Sequence, residues 1–419
     1  MPCPSRPPRV RDRARARAVS GGLTLLALVG LVPRARASLP DLVGLGTRAS
    51  ALGGAAVATA SDYEAAYYNP AGLGGTQRRF VLGAVYGGYH LKLDDKDYPV
   101  EDTAGLLLGG STGIPLGGVM RDRLGIGLGL YLPFAVVNRV RVPFPDVPRA
   151  ALLDTRTQIV SVLLGAGLRL PAGLSIGGGV LALAALVGSI DIAADGVGRI
   201  TSSSEQQLTV DYAPIVGLRW QSPAGRVALG LTYRGESRSS YRIAVHTRLG
   251  DLLPLSLPTL YFAGTAQYDP QQLAGEVAFR PGARLMLAAQ LLWKGWSRFP
   301  YPIERASDGS LALPAPGFHD TAVPRVAAEW TALERARLSL SLRGGYGFEW
   351  SPAPSPPPET YAKNLLDASR HVLSAGAGLS LRGGVPLSFG VYVQAQLLAH
   401  SERLGGAFGV GGATIGVDL

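Results

Sequence analysis

The stretch "LGIGLGLYL", Leu124–Leu132, decides the fold. Leu124, Ile126, Leu128, Leu130 and Leu132 share one parity, and Gly125, Gly127 and Gly129 the other. Successive side chains of a strand point to opposite faces, so one face here is wholly apolar and the other nearly bare. A strand in a membrane barrel has this form, with apolar residues toward lipid and small or polar ones toward the lumen over about 10 residues. The same parity recurs along the chain. In "RLSLSLRGGYGFEW", Leu338, Leu340, Leu342, Tyr346, Phe348 and Trp350 oppose Arg337, Ser339, Ser341, Arg343 and Glu349. "PLSFGVYVQAQLLAH" sets Leu387, Phe389, Val391, Val393 and Ala395 against Ser388, Tyr392, Gln394 and Gln396, and "RVALGLTYRGE" repeats the alternation.

Helical spans are the competing reading, and Leu170–Ile190, 21 residues without a charge, supports them best. Pro171, Gly173 and Gly177 to Gly179 make that stretch a poor helix, while Leu174, Ile176 and Val180 continue the two-residue period. A soluble sandwich also alternates. Aromatics near segment ends (Tyr131, Trp220, Tyr233, Trp293, Trp296, Trp350) favour interfacial girdles instead. Connections alternate too: short ones such as "RDR" (121–123), "LPAG" (170–173), "SPAG" (222–225) and "ALER" (332–335) separate long ones at 133–155, 297–320 and 351–370. Outer-membrane barrels show that asymmetry. The expectation is an all-β, transmembrane antiparallel β-barrel. It has 16 strands if 239–249 and 259–268 both span, and 14 if they form a hairpin above the membrane.

Residues 1–37 have the layout of a cleaved signal peptide: arginines, then the apolar run "GGLTLLALVGLV", then "ARA". That run is too short for the ~20 residues of a spanning helix. Eight arginines and one aspartate there carry seven of the ten net positive charges, which leaves three on the mature chain. A nucleic-acid partner therefore loses its support. The single cysteine, Cys3, lies in the same segment, so the mature chain offers no thiol for disulfides, metal or catalysis. No cofactor or metal is expected. Neither is enzymatic activity: none of His90, His246, His319, His371 and His400 sits beside a nucleophile motif such as G-x-S-x-G.

Before the first strand, near Arg79, lies "EAAYYNPAGLGG", Glu64–Gly75. Pro70 fixes its own φ and excludes Asn69 from the helical region, while Asn69 can bond its own backbone two residues on. The whole of "GLGTRASALGGAAVATASDYEAAYYNPAGL" (44–73) resembles the N-terminal segment of the FadL family of outer-membrane transporters for long-chain fatty acids and other hydrophobic compounds. "FRPGARLMLAAQLLWKGWSRF" (279–299) and "GGYGFEWSPAPSPPPETYAKNLLDASRHVLSAGAGLSL" (344–381) resemble two later parts of that family in the right order. The resemblance implies 14 strands, with residues 78–419 as the barrel and 38–77 as a hatch in its lumen. It marks Asn69, Pro70, Ala71, Gly72 and Leu73 as the hatch motif. It also implies capture of ligand at the outer face and release sideways, through a gap beside a kinked strand. The terminal Leu419 departs from the aromatic usual at that family's C-terminus.

By parity the lumen face offers Arg169, Arg219, Arg242, Glu329, Lys294, Arg343, Arg325, Tyr392 and Gln394. Lys294 and Arg343 are the first candidates for a ligand carboxylate, since charge-assisted bonds are strong where water is scarce. The expected function is passive, hatch-gated uptake of hydrophobic molecules across the bacterial outer membrane by a monomer whose partners are its ligand and outer-membrane lipid. A general diffusion porin is one alternative. A secretion or adhesion accessory binding a protein partner through long outer loops is another.

Overall fold

The computed structural model describes residues 39–134, 147–150, 152–153, 160–194, 200–248, 259–300, 316–355, 361–399, 401 and 403–419. The expected signal peptide and most of the long outer loops lie outside them. Fourteen antiparallel strands close a ring: β1 (Arg79–Leu93), β2 (Thr103–Gly113), β3 (Leu124–Pro133), β4 (Ser161–Arg169), β5 (Leu174–Ala194), β6 (Ile200–Gln221), β7 (Val227–Arg234), β8 (Gln272–Phe279), β9 (Leu285–Lys294), β10 (Thr321–Arg335), β11 (Leu338–Glu349), β12 (Arg370–Leu381), β13 (Leu387–Leu398) and β14 (Leu404–Asp418). Closure is by β14 on β1, in register from Arg79↔Asp418 to Leu93↔Leu404. A closed ring has no sheet edge, which is what a strand protein needs in hydrocarbon.

Parity holds as read. Ile126, Leu128, Leu229, Leu231, Val391 and Val393 are exposed on the outside of the ring, while Thr232, Tyr392, Gln394 and Gln396 are buried inside it. An apolar exterior of this extent is stable only against lipid. No helix among the described residues is long and apolar enough to cross a membrane. Two aromatics depart from the girdle reading. Tyr131 and Trp296 are buried rather than lipid-facing; Tyr131 has the parity of Gly129, and Trp296 follows the end of β9 in a short 3-10 turn. The "ALER" segment also lies within β10, with the turn at Ala336 and Arg337 and a bulge between Thr331 and Leu333.

The inner turns are short and use left-handed backbone. In "LPAG", Gly173 has φ 77°, and a Cβ there would fall on the Gln221 carbonyl, so only glycine fits. The outer connections are the long ones, as the sequence implies.

The ambiguous pair 239–249 and 259–268 forms the outer hairpin Ser237–Arg248 and Leu260–Asp269. It is not inserted in the ring, because β7 pairs directly with β8 from Gln272↔Arg234 to Phe279↔Val227. Its first strand instead runs parallel to the far half of β5, Tyr241↔Leu186 to Arg248↔Ala193. β5 and β6, 21 and 22 residues long, reach roughly 70 Å at 3.3 Å per residue, far beyond a ~30 Å bilayer core. Pro214 sits where β6 parts from β7, whose pairing begins at Ile215; a residue without N–H suits that edge. Replacing 237–269 by a short turn should leave a barrel that still migrates differently before and after boiling in SDS. Loss of that shift would mean the hairpin is part of the ring after all.

Candidate functional site: the lumen and its N-terminal segment

Residues 40–75 fill the ring. Three short helices, α1 (Leu39–Val43), α2 (Thr47–Ala51) and α3 (Ala65–Tyr68), lead into a 3-10 turn, Pro70–Leu73. Almost every described side chain from Leu42 to Leu73 is buried, the exceptions being Arg48 and, at the inner mouth, Ser61 and Asp62. Alanines dominate because helix and wall approach closely there. The motif read from the sequence is the tightest contact. Asn69 is extended (φ −166°, ψ 102°), as a residue before proline must be. Its Oδ1 accepts from Ala71 N at 3.1 Å, and its Nδ2 donates to the carbonyls of Val57 (2.8 Å) and Leu218 (2.9 Å). One side chain thus caps the turn, joins two parts of the segment and ties both to β6.

The wall is bare where this turn docks. A Cβ on Gly217 would fall on Asn69 Oδ1, one on Gly177 on Pro70 and Ala71, one on Gly167 on the Pro70 carbonyl and one on Gly125 on the Leu73 carbonyl. These four glycines lie on β6, β5, β4 and β3, so four adjacent strands present bare backbone to the turn, three of them to its backbone and β6 to the Asn69 side chain. The glycine face of "LGIGLGLYL" is therefore a docking surface. Asn69→Ala should cost about 1–2 kcal/mol of local stability, from lost capping and buried carbonyls left unpaired. Limited proteolysis should then cut the segment faster while the barrel stays intact; unchanged cleavage would count against this anchoring.

Polar latches bind the segment elsewhere. Arg48 Nη2 donates to Glu329 Oε2 at 2.7 Å, and Arg343 Nε donates to Glu329 Oε1 at 2.7 Å. Val57 N donates to Glu276 Oε2 at 2.6 Å, Gln396 Nε2 to the Leu42 carbonyl at 2.7 Å, and Thr47 and Thr414 hydroxyls meet at 2.8 Å. Near α1, Lys294 Nζ lies 2.8 Å from Glu349 Oε1 and 3.3 Å from Asp41 Oδ2. Arg370 reaches the other Glu349 oxygen at 2.8 Å, and Arg234 covers the Tyr67 ring at 3.8 Å. At the outer loop, burial pushes the Asp367 carboxyl up to about 6 against the pull of Arg370.

The space beside α1 is small. A cavity of about 50 Å³ lies between Asp41, Val57, Tyr67, Arg234, Gln272 and their neighbours, room for a few waters only. Arg325 and Gln394 line it; Lys294 and Tyr392 are buried and Arg343 is half-buried, all three engaged with the segment or its ion pairs. Arg325, Gln394, Lys294, Arg343 and Tyr392 thus face inward as their parity implies, and Asp41, Gln272 and Arg370, which were not among the candidates, join them. Parity could have supplied Gln272, two residues before Ala274 on the inner face; Asp41 carries no periodic signal. The side chain of Arg242 lies outside the described residues. β2, β3 and β4 are paired without a register break, Gly105↔Pro133 to Gly113↔Gly125 and Leu124↔Leu168 to Tyr131↔Ser161, so no gap interrupts the wall across these three strands.

No protein-family model matches the chain, and no curated protein is similar to it. Solved structures are similar in fold. A FadL homologue of Pseudomonas aeruginosa superposes with a TM-score of 0.59 at 15% identity, covering 93% of this chain and 99% of that one. CymD, a monoaromatic hydrocarbon channel, gives 0.55 at 15% identity over 90% and 98%. The toluene transporter TodX of P. putida gives 0.52 at 15% identity over 90% and 98%. With 14 strands, an apolar exterior and a lumen filled from the N-terminus, the chain has the fold of the FadL-type outer-membrane channels.

Proposed function

We propose that this protein is a FadL-type channel of the bacterial outer membrane that takes up a hydrophobic small molecule without altering it, and that residues 38–77 act as its hatch. The observation that carries the reading is the lumen itself. It is closed by a segment that is not part of the wall and is held by side-chain contacts rather than by strand pairing. Such contacts can be exchanged without breaking the barrel. A water-filled porin would have no use for them. CymD is a monoaromatic hydrocarbon channel and TodX a toluene transporter, and a fatty acid suits a lumen of the same composition. Tyr268, Trp296, Phe299 and Phe318 form a buried apolar cluster at the outer end, with Phe299 stacked on Phe318 at 4.7 Å. We take residues 1–37 as the export signal and the hatch motif as Asn69 to Leu73.

Uptake in cells lacking their own outer-membrane channels tests this. Labelled oleate and labelled toluene are supplied with and without the protein, and at least one is expected to enter several-fold faster with it. Unchanged entry of both, with the protein correctly inserted, would overturn the uptake reading. The sheet of β5, β6 and the outer hairpin extends far enough beyond the bilayer to favour partner binding as the second reading, and it would then come first.

A further inference from the structure

The inner mouth of the ring is strongly one-sided in charge. Its six turns and two chain ends, with the two strand residues flanking each, hold eleven arginines, no lysine and three acids, Asp122, Glu334 and Asp418. Asp62 of the hatch adds a fourth acid there, through Arg79, which leaves the rim at +7. The mature chain as a whole carries +3, so everything above the rim is net −4. Its four lysines, Lys92, Lys96, Lys294 and Lys363, all lie toward the outer end.

The arginines point to the axis of the ring rather than to lipid. Backbone ladders run one residue past the strands here: Arg169 N donates to the Arg123 carbonyl at 2.9 Å, Arg280 N to that of Arg226 at 2.7 Å, and Arg382 N to that of Arg337 at 2.9 Å. Each of these six is one step beyond a strand residue of lipid-facing parity, such as Phe279 or Leu124, and successive side chains take opposite faces. A bilayer phosphate would need them on the other face. Some are satisfied within the protein: Arg79 by Asp62 and Asp418, Arg382 by Glu334 at 2.6 Å, Arg169 by the Gly74 carbonyl at 3.0 Å. Among the described residues, the side chains of Arg226, Arg280, Arg284 and Arg337 make no ion pair or hydrogen bond. Beside them a depression of about 580 Å³ opens between Arg78, Ile114, Pro115, Pro386 and Leu419. Val119, Val385 and Leu419 stand around it 79%, 61% and 79% exposed. Unpaired arginines next to exposed apolar side chains are the composition of a protein interface.

We propose that the inner mouth is the docking seat of a soluble protein with an acidic face, steered and held by the arginine ring and anchored by an apolar side chain in the depression. Such a partner stands where a cargo sparingly soluble in water would leave the lumen. Docking goes beyond the uptake reading and does not depend on which cargo is carried.

Two readouts test it. In nanodiscs of zwitterionic lipid, a fluorescent oligoglutamate peptide is the probe. The rim variant Arg226→Gln, Arg280→Gln, Arg284→Gln, Arg337→Gln removes no contact of the fold and is expected to bind the peptide at least tenfold more weakly than the parent. An outer variant with the same loss of charge, Lys92→Gln, Lys96→Gln, Arg298→Gln, Lys363→Gln, should stay within twofold. Unchanged binding by the rim variant, or equal weakening in both, would overturn the proposal. In its native cells, Ala283→benzoylphenylalanine, on the exposed turn between β8 and β9, is expected on irradiation to give an adduct with a soluble acidic protein identified by mass spectrometry, and the rim substitutions to lower its yield at least fivefold. Adducts with lipid alone, no protein adduct, or a yield unaffected by the rim substitutions would overturn it.

Discussion

Gly177→Val is expected to convert a silent barrel into a conducting one, while Gly178→Val, one residue along the same strand, changes nothing. A Cβ at Gly177 would meet the backbone of Pro70 and Ala71, whereas at Gly178 nothing lies within 4 Å. The two positions share a strand, a residue type and a neighbourhood in sequence. They differ only in face. β5 cannot retreat from a valine at 177, because Gly177 is paired with Gly167 on β4 and Gly217 on β6. The hatch must yield instead, and with it the contacts of Asn69. Overpacking of this kind costs about 1–3 kcal/mol where neighbours can relax, and more where both partners are backbone. In planar bilayers the parent protein should show background leak, Gly178→Val the same, and Gly177→Val resolved single-channel steps. Silent Gly177→Val channels of normal fold would mean that the hatch turn is not seated on this wall.

Glu329→Gln is the second large effect. Arg48 of the hatch and Arg343 of β11 share this one carboxylate, with side chains 25% and 11% exposed against 16% for Glu329. An amide of the same shape accepts one bond more weakly and leaves two guanidinium groups facing each other. Exposed ion pairs are worth about 0–1 kcal/mol and breaking a buried one costs about 3–5, so this half-buried fork should lose about 2–4 kcal/mol of hatch docking. At 1.4 kcal/mol per factor of ten, that is roughly a 30- to 700-fold rise in the undocked population. Trypsin cleavage after Arg48 samples that population when reclosing is fast, so its rate should rise accordingly while the barrel remains uncut. A rate within twofold of the parent would show that the fork does not hold the hatch.

The barrel was legible because a wall between lipid and lumen imposes a period of two that survives in every strand. That same rule resolves the one strand-end aromatic misread from its residue type: Tyr131 shares the parity of Gly129 and so faces inward. Trp296 lies past the strand end, where parity gives no guidance. The outer hairpin was ambiguous for a physical reason, since "SRSSYRIAVHTR" alternates equally well in a ring or on a sheet above it. Only the direct pairing of β7 with β8 separates the two. The Asn69 turn could be read from its own backbone chemistry, but its dock could not. Glycine faces on β3 to β6 say that something approaches closely, not what. Asp41 was illegible altogether: a five-residue helix has no useful periodicity, and its partners Gln272 and Lys294 are brought to it only by closure of the ring.

The account turns on whether the hatch must leave its seat for cargo to pass, and a reversible tether measures that directly. The hydroxyls of Thr47 on α2 and Thr414 on β14 touch at 2.8 Å, so cysteines at both positions in a Cys3→Ser background can lock hatch to wall. Uptake of labelled oleate should fall to the level of cells without the protein when the pair is oxidised and return on reduction. Equal uptake in the two states, with the disulfide verified, would contradict it.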